Sequence, residues 1–369
     1  MQNELYIGIM SGTSLDGVDT VLVSINEGKI ERRATYCFPI PKPLREAVLA
    51  MNLSQPVTIA QVGSIDHQLG ELYAQSVKAL LKHSGYTAKE ITAIGCHGQT
   101  VFHQPAGEER FTIQLGDANL IAAQTNITTI ADFRRKDMAL GGQGAPLVPA
   151  FHQAIFGLNN SSVVILNIGG IANISVLHPD GTVVGYDTGP GNMLMDAWCY
   201  QHQGHFYDQD ARWAKQGVTH PALLKELLAD PYFTLPAPKS TGREYFHLNW
   251  LSQHKALKDA NPTDVQRTLC EFTAHSICDQ VKQFRQGEQP SLYVCGGGAQ
   301  NPLLMQRLGE LLPDWSVSTT SEHGVDSDVM EAMAFAWLAY RRIHGLPSNL
   351  PAVTGACRPA SLGVIYYPD

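Results

Sequence analysis

Short apolar runs alternate with longer amphipathic stretches along most of the chain. A short apolar run bounded by turn residues is typical of a buried strand, whereas apolar residues that recur every three or four positions are typical of a helix. The runs that predict strands are residues 5–10, 20–25, 91–96, 127–131, 163–168 and 292–295. A helix is predicted over residues 57–82, and its apolar stripe is Val62, Ile65, Leu69 and Leu72.

This alternation of strands and helices predicts the α/β fold class. The strand at 20–25 is expected to pair with the strand at 5–10 as a hairpin. Thr263 and Gln266 have the spacing of a capping box ahead of a second helical stripe. A final long helix is predicted from near Asp328 to about Arg342.

Length and charge limit the classes of function. At about 150 residues per domain, the 369 residues predict two domains, with three as the alternative. Apolar residues make up 44% and charged residues 16%, which is typical of a globular protein. The chain has 26 basic and 34 acidic residues, a net charge of −8, and its basic residues are dispersed. Nucleic acid binding is therefore not expected, because it needs a concentrated Lys/Arg surface.

Neither a membrane nor an oxidising compartment is indicated. No apolar run approaches the roughly 18 residues that a spanning helix needs, and the amino end lacks the basic start of a secretory signal. Seven scattered cysteines without a C-x-x-C pair indicate reduced thiols rather than a disulfide framework. We therefore expect a cytoplasmic protein.

Three apolar strands run directly into turns of small residues. The first turn holds Gly12, Thr13 and Ser14, the second Asn167, Gly169 and Gly170, and the third Gly297, Gly298 and Asn301. Glycine lets backbone N–H groups approach an anion closely, and hydroxyls add donors, so such turns can cradle phosphate oxygens. A tight turn within an α/β sheet is the structural alternative for any one of them.

The first turn leads into another strand rather than a helix, through Leu15, Asp16, Gly17, Val18 and Asp19. No G-x-x-x-x-G-K-[ST] motif is present, so this is not a Walker P-loop. Two carboxylates just past a phosphate cradle are suited to hydrated Mg²⁺, which makes Asp16 and Asp19 candidate metal ligands. Ordinary hairpin chemistry is the alternative, since Asp beside Gly is common in turns.

Taken in order along the chain, these turns resemble the phosphate and adenosine motifs of the actin, sugar kinase and heat-shock ATPase superfamily. More narrowly, the chain resembles the 1,6-anhydro-N-acetylmuramic acid kinase family. The segments that carry the resemblance are residues 10–19, 95–100, 131–134, 141–149, 167–173, 186–192, 239–244, 295–302 and 353–356.

The resemblance implies a two-lobed actin-like ATPase (ribonuclease H-like) fold with a nucleotide cleft between the lobes. Lobe one would comprise residues 1–145 and 336–369, lobe two residues 146–335. ATP and Mg²⁺ are the implied cofactors, an amino sugar the implied substrate, and a homodimer the implied assembly. The residues implied to bind the cofactor are Gly12, Thr13, Ser14, Leu15, Asp16, Gly17, Val18, Asp19, Asn167, Gly169, Gly170, Gly297, Gly298 and Asn301.

Asp187 is the expected catalytic base. It follows the strand-like run 183–186 and precedes a glycine-rich turn that leads into a helix near Met193. A carboxylate at that position can face a cleft, and the resemblance places the family's catalytic Asp here. Helix capping is the alternative, but Asn192 is the better placed cap.

Residues 132–137 hold five charges in six positions. A muramic acid derivative carries a lactyl carboxylate, which a planar guanidinium matches well, so Arg134 and Asp132 are candidate substrate residues. A solvated loop is the alternative. His97 and Gln99 flank a glycine and are candidates to contact sugar hydroxyls, although structural polar groups would have the same pattern.

Glu331 has two interpretations. Asp328 and Glu331 match the D-x-x-E spacing of a capping box, whereas the resemblance implies that this helix start contacts substrate.

Two further signals are set aside. His202, His205, Asp208 and Asp210 match no strong zinc signature. Cys295 has no evident base beside it and is expected to be a packing residue.

The resemblance also implies the reaction, because a 1,6-anhydro bridge leaves no free O6 hydroxyl to phosphorylate. Asp187 would take a proton from water, water would attack the anomeric carbon, and the departing O6 would attack the γ-phosphoryl group of ATP. The product would be N-acetylmuramic acid 6-phosphate, in the recycling of cell-wall sugar. Two alternatives stay open: an ordinary hydroxyl-directed sugar kinase, and a nucleotide-switched binding protein of the actin or heat-shock kind.

Overall fold

The computed structural model describes residues 3–12, 15, 17–26, 28–52, 56–157, 160–237, 239–242, 245–326 and 329–369. The chain divides into two compact units, Met1–Ile155 with Val329–Asp369, and Phe156–Asp328. Within the described ranges, no helix is long and apolar enough to cross a membrane.

The first unit is built on a six-stranded sheet and a separate hairpin. Its strands are β1 (Glu4–Met10), β2 (Val18–Asn26), β3 (Lys29–Phe38), β4 (Ile91–Cys96), β5 (Gln99–Gln104), β6 (Phe111–Leu115), β7 (Thr129–Ala131) and β13 (Val364–Tyr366). The sheet order is β13-β7-β4-β1-β2-β3, and β5 pairs with β6 alone. Strand β1 is antiparallel to β2 and parallel to β4, so the expected first hairpin is confirmed.

The helices of this unit are α1 (Lys42–Asn52), α2 (Ile59–Ser84), α3 (Ala118–Thr125), α4 (Phe133–Ala139), α5 (Val148–Phe156, ending at the unit boundary), α11 (Met330–Ile343) and α12 (Pro351–Thr354). Helix α2 begins after Thr58, which forms a capping box with Gln61, and ends at the left-handed Gly85. It buries Ile65, Leu69 and Leu72, three of the four residues of the predicted stripe.

Helix α11 lies directly on the backbone of the central strands. A Cβ at Gly8 of β1 would overlap the Ala332 carbonyl, and a Cβ at Gly95 of β4 would overlap the Phe335 carbonyl. Glycine at these two positions therefore permits the close packing of the helix on the sheet.

The second unit repeats the strand arrangement of the first. Its strands are β8 (Val163–Ile168), β9 (Ile171–Leu177), β10 (Val183–Pro190), β11 (Ser291–Cys295) and β12 (Ser316–Thr319), and its helices are α6 (Met193–Gln203), α7 (Pro221–Leu228), α8 (Leu248–Leu251), α9 (Pro262–Val281) and α10 (Pro302–Leu311). The sheet order is β10-β9-β8-β11-β12. Strand β8 is antiparallel to β9 and parallel to β11, as β1 is to β2 and β4. The predicted α/β class is confirmed.

The predicted capping box of Thr263 and Gln266 is wrong. Helix α9 begins at Pro262 behind Asn261, whose side chain accepts a hydrogen bond from the Thr263 amide, so Thr263 lies inside the helix and Gln266 is not its N3 residue. Helix α11 begins at Met330 with Val329 at the N-cap position. Glu331 is therefore its second residue, out of register for a capping box with Asp328, which lies outside the described residues.

Candidate active site

The first glycine turn connects β1 to β2. The amide of Leu15 donates to the Gly12 carbonyl at 3.1 Å, and Leu15 has a left-handed φ of 55° with its side chain fully buried. Such a backbone is sparsely populated for a branched residue, so burial of Leu15 anchors the turn. Thr13, Ser14 and Asp16 lie outside the described residues. Gly17 is buried, Val18 opens β2, and Asp19 follows it at the register position of Met10.

Gln99 is bound to the start of this same turn. The Ser11 hydroxyl donates to Gln99 Oε1 at 2.8 Å and lies 2.8 Å from the Tyr73 hydroxyl. Because Ser11 has one hydroxyl proton, Tyr73 is the donor in the second bond. Gln99 is 1% exposed, so the structure places this predicted sugar contact in a buried network behind the turn.

The buried His97 and the half-buried Arg134 form a hydrogen-bonded pair. Arg134 Nε donates to His97 Nε2 at 3.0 Å, and its Nη2 lies 2.9 Å from the same nitrogen. Arg134 Nη1 donates to the Gly144 carbonyl at 2.8 Å. Burial and the neighbouring guanidinium hold the pKa of His97 well below its ordinary value, so the imidazole is a neutral acceptor.

Glu331 belongs to the same charge cluster. Burial raises its pKa, Arg134 opposes that rise, and the negative charge of Asp19 adds to it. Burial also lowers the pKa of Arg134 to about 10, against the stabilising charge of Glu331. The guanidinium consequently stays protonated near neutral pH. The structure thus brings together three predicted residues, Arg134, His97 and Glu331, with Asp19 nearby.

Asp132 has a different environment from Arg134. Its carboxylate pairs with Arg135 at 2.6 Å, and its backbone is left-handed, with φ 56°. A non-glycine residue in that region carries local strain, which is common at functional sites.

Sequence reasoning missed Asp137, which is completely buried. Its Oδ2 accepts from the Gly144 amide at 2.9 Å, and its Oδ1 accepts from Asn349 Nδ2 and Thr354 Oγ1, both at 2.8 Å. Asp137 thereby fixes the loop whose Gly144 carbonyl orients Arg134. Both the loop and the segment that contains Thr354 were noted in the sequence, but no local signal pointed to the carboxylate that joins them.

The second glycine turn connects β8 to β9 and is held by the start of α6. The Asn192 amide donates to the Gly169 carbonyl at 2.8 Å, and the Gly191 amide donates to the Gly170 carbonyl at 2.9 Å. Asn192 does occupy the N-cap position, but its side chain makes no cap hydrogen bond and donates instead to Ile168 O at 3.3 Å. The predicted side-chain cap is therefore wrong.

The third turn follows β11 and packs against the second. A Cβ at Gly298 would overlap the Ile168 side chain, and one at Gly296 would overlap Asn167 Oδ1. Gly297 lies beside the Asn192 side chain. Asn301 caps α10, with Oδ1 accepting from the Leu303 and Leu304 amides at 3.1 and 3.0 Å. Asn167, Gly169, Gly170, Gly297 and Gly298 are thus brought together.

Asp187 lies inside β10 rather than after it, at a register shift in the pairing with β9. Its amide donates to the Lys239 carbonyl at 3.1 Å, and its own carbonyl accepts from the Tyr232 hydroxyl at 2.7 Å. Its Oδ2 accepts from Ser240 Oγ at 2.9 Å and from the Thr241 amide at 3.1 Å. The half-buried carboxylate is therefore held in one orientation.

The signals that were set aside have structural explanations. Asp208 accepts backbone amides from Trp213 at 2.9 Å and Ala214 at 2.8 Å, and the His202 ring packs on Trp198. Within the part of the chain that the structure describes, no group of three or more His, Cys, Asp or Glu side chains is placed to hold a metal. Cys295 is buried, and the seven cysteines, all within the described ranges, are thiols that form no disulfide.

Comparison with known proteins identifies close relatives. The model of the anhydro-N-acetylmuramic acid kinase family matches residues 4–368. The protein named anhydro-N-acetylmuramic acid kinase from Vibrio cholerae serotype O1 is 65% identical over 368 residues, which cover 100% of both chains. Its namesake from Photobacterium profundum is 59% identical over 372 residues, covering 99% of both.

Solved structures that match this chain are much more distant in sequence. A ROK family glucokinase from Streptomyces griseus in complex with glucose and AMPPNP is 14% identical, with a TM-score of 0.39, over 91% of this chain and 99% of that one. The (R)-2-hydroxyglutaryl-CoA dehydratase component A of Acidaminococcus fermentans is 12% identical, with a TM-score of 0.44, over 92% and 99%.

Proposed function

The chain belongs to the anhydro-N-acetylmuramic acid kinase family, and on that premise we propose how its own residues carry the reaction. It is an ATP-dependent phosphotransferase with an alcohol-group acceptor. It opens the 1,6-anhydro ring of anhydro-N-acetylmuramic acid and phosphorylates O6, giving N-acetylmuramic acid 6-phosphate and ADP in peptidoglycan recycling.

Asp187 is the proposed catalytic base. Its carboxylate takes a proton from water as the water oxygen bonds to the anomeric carbon. The bond from that carbon to O6 breaks, and O6 bonds to the γ-phosphorus as the bond to ADP breaks. The observation that supports this role most strongly is the orientation of the Asp187 carboxylate by Ser240 Oγ and the Thr241 amide. A base that is fixed in place before substrate arrives lowers the entropic cost of the reaction.

Arg134 is the proposed partner of the lactyl carboxylate. It is held by a neutral imidazole and a carbonyl, so its hydrogen bonds orient it without neutralising its charge. Glu331, in the same cluster, is proposed to contact the sugar. Gln99 and Asp132 are proposed to act indirectly, because their described contacts are to Ser11 and Arg135.

Each glycine turn is a proposed phosphate-binding turn of its own unit. Gly12, Gly169 and Gly170 lie at hairpin turns, and Gly297 and Gly298 pack beside the second turn. Backbone amides in such turns stabilise charge that develops on a phosphoryl group. The remaining candidates Leu15, Gly17 and Val18 would shape the first turn, and Asn301 would hold α10 beside the third.

The residues present fit Mg²⁺ as a cation that takes most of its ligands from water and phosphate. Asp19 is half-buried, and its negative charge contributes to the raised pKa of Glu331. Asp19 would hold the ion, with Asp16 as the second candidate ligand outside the described residues. When bound, the ion would neutralise phosphate charge.

Two further proposals concern the whole protein. We place the reaction in the cytoplasm, where ATP is available, and we expect a homodimer, as the family resemblance implies. Light scattering at several protein concentrations measures the mass of the assembly. A monomer mass at every concentration would contradict the proposed homodimer.

The proposed reaction is tested by ADP release with anhydro and reducing N-acetylmuramic acid, run in ¹⁸O-labelled water. We expect turnover with the anhydro sugar and ¹⁸O on the anomeric carbon, with none in the phosphate. Equal turnover of the reducing sugar would favour a hydroxyl-directed kinase, and ADP release without any sugar would favour a nucleotide-switched binding protein.

A further inference from the structure

Residues 239–242 are the described part of a segment whose contacts with Asp187 extend beyond the two donors to its carboxylate. They contact Asp187 along its backbone and its side chain, although more than fifty positions separate them in sequence. Two of these contacts hold the side-chain carboxylate, and a third holds the backbone amide.

Lys239 anchors this segment in the second unit. It is 8% exposed, and its Nζ donates to the Tyr232 carbonyl at 3.1 Å and more weakly to the Phe233 carbonyl at 3.4 Å. The ammonium also lies 4.8 Å from the centroid of the Tyr232 ring. Burying an ammonium is costly unless carbonyls and an aromatic face compensate, so these contacts hold Lys239 in one place.

The anchor is joined to Asp187 by a closed set of hydrogen bonds. Tyr232, which accepts from Lys239, donates its hydroxyl to the Asp187 carbonyl at 2.7 Å. The Asp187 amide donates in turn to the Lys239 carbonyl at 3.1 Å. The backbone of Asp187 is therefore fixed on both sides, at a position where the pairing with β9 is irregular. Such irregularities re-aim side chains next to active sites.

We infer that Lys239, Ser240 and Thr241 form a positioning strap for the catalytic base. This inference rests on the proposed role of Asp187. Lys239 sets the position of the strap, while Ser240 Oγ and the Thr241 amide hold Oδ2, which fixes the plane of the carboxylate. The same two donors favour its ionised form, which is the form that accepts a proton from water. All three are positioning residues that act through Asp187.

The sharpest test is Ser240→Ala, because Ser240 is exposed and truncation of an exposed side chain is expected to leave the fold intact. We expect kcat to fall on the order of tenfold, while KM for ATP and for the sugar stays within about twofold. The acid limb of the kcat profile should move to higher pH, because one donor to the ionised carboxylate is gone. Ser240→Thr, which keeps a hydroxyl, should have the wild-type kcat and the wild-type pH profile.

A matched control is Ser252→Ala, which removes an exposed hydroxyl of the same unit that donates to the Asn249 carbonyl. It should change neither kcat nor the pH profile. A second variant, Lys239→Met, should lower kcat at unchanged KM for ATP, with its melting temperature measured to confirm folding.

The outcomes separate this inference from the proposed function. If Asp187→Asn is inactive but Ser240→Ala keeps the wild-type kcat and pH profile, the strap is wrong and the base assignment stands. If Asp187→Asn retains activity, the base assignment itself fails. A folded Lys239→Met enzyme with unchanged kcat would overturn the anchoring role of Lys239.

Discussion

At the residue scale, the orientation of Arg134 has a functional consequence. A guanidinium is commonly held by carboxylates, which cancel its charge. Here the direct hydrogen-bond partners are the neutral His97 and the Gly144 carbonyl. These bonds hold the Arg134 guanidinium in place, and its positive charge stays available to a substrate carboxylate.

Arg134→Met should therefore weaken sugar binding. We expect KM for the anhydro sugar to rise roughly 30-fold or more, from the loss of a charge-assisted pair, with a much smaller change in kcat. The control is Arg212→Met, which removes an exposed arginine that pairs with Asp210. Steady-state kinetics with a substrate analogue that lacks the lactyl carboxylate complete the test. If the variant loses affinity equally for both sugars, Arg134 does not bind the carboxylate.

Buried histidines make stability depend on pH. Burial lowers the pKa of His152 to about 3, whereas an unfolded histidine titrates near pH 6.5. The unfolded state therefore binds the proton first as pH falls below about 6.5, and the fold loses about 1.4 kcal/mol per pH unit from this group. The loss continues down toward pH 3.

Urea unfolding at pH 7, 6 and 5 measures this effect. The free energy of unfolding of His152→Gln should depend on pH less steeply than that of the wild type, by about 1.4 kcal/mol per pH unit. His205→Gln, at an exposed position, is the control and should leave the slope unchanged. Identical slopes for wild type and His152→Gln would show that His152 is not neutral in the fold.

At the element scale, Asp137 joins three separate parts of the first unit. It lies in α4 and accepts from the loop at Gly144, from Asn349, and from Thr354 in α12. Since the same loop supplies the carbonyl that orients Arg134, the stability of these elements and the orientation of this proposed substrate residue are connected.

Asp137→Ala should destabilise the protein by about 3 kcal/mol, because three buried donors lose their acceptor at once. Asp314→Ala, which removes a carboxylate that is 69% exposed, should change stability by less than about 0.5 kcal/mol. Chemical denaturation of both variants checks the difference. Equal stabilities would mean that solvent satisfies the Asp137 partners.

Sequence patterns predicted the central strands well and the ends of α2 and α11 within two residues, but they predicted N-cap side chains poorly. The apolar runs at 163–168 and 292–295 correspond closely to β8 and β11, because a strand buried on both faces needs a continuous apolar segment. The predicted N-cap side chains were wrong because several polar side chains near a helix start can accept a hydrogen bond from its first amides. Asn261 rather than Thr263 caps α9, and the Asn192 side chain is bonded to Ile168 instead of capping α6.

At the scale of the whole molecule, the two units share one strand arrangement. In each, a meander of three antiparallel strands is followed by two strands that join in parallel on the other side of the first, and the first unit adds the antiparallel β13 at its edge. The first two glycine turns occupy the same place in this arrangement, between the first and second strands of each unit. The sequence revealed the turns but not the repeat, because matching topology requires no matching residues.

The residue types of the candidate site could be predicted from the sequence, but the contacts between those residues could not. Asp187, Arg134 and the glycine turns follow from residue type, position and the family resemblance. The contacts of Asp187 with Ser240, and of Gln99 with Ser11, join residues more than fifty positions apart, and no local pattern specifies them.

The central claim is that the Asp187 carboxylate activates the water that opens the anhydro ring. Replacing it with the near-isosteric Asn removes the base while keeping the shape, so ADP release with the anhydro sugar should fall by at least about 1000-fold. Binding of a non-hydrolysable ATP analogue, measured by calorimetry on the same preparation, should be unchanged. Retention of near-wild-type ADP release by Asp187→Asn would contradict the account.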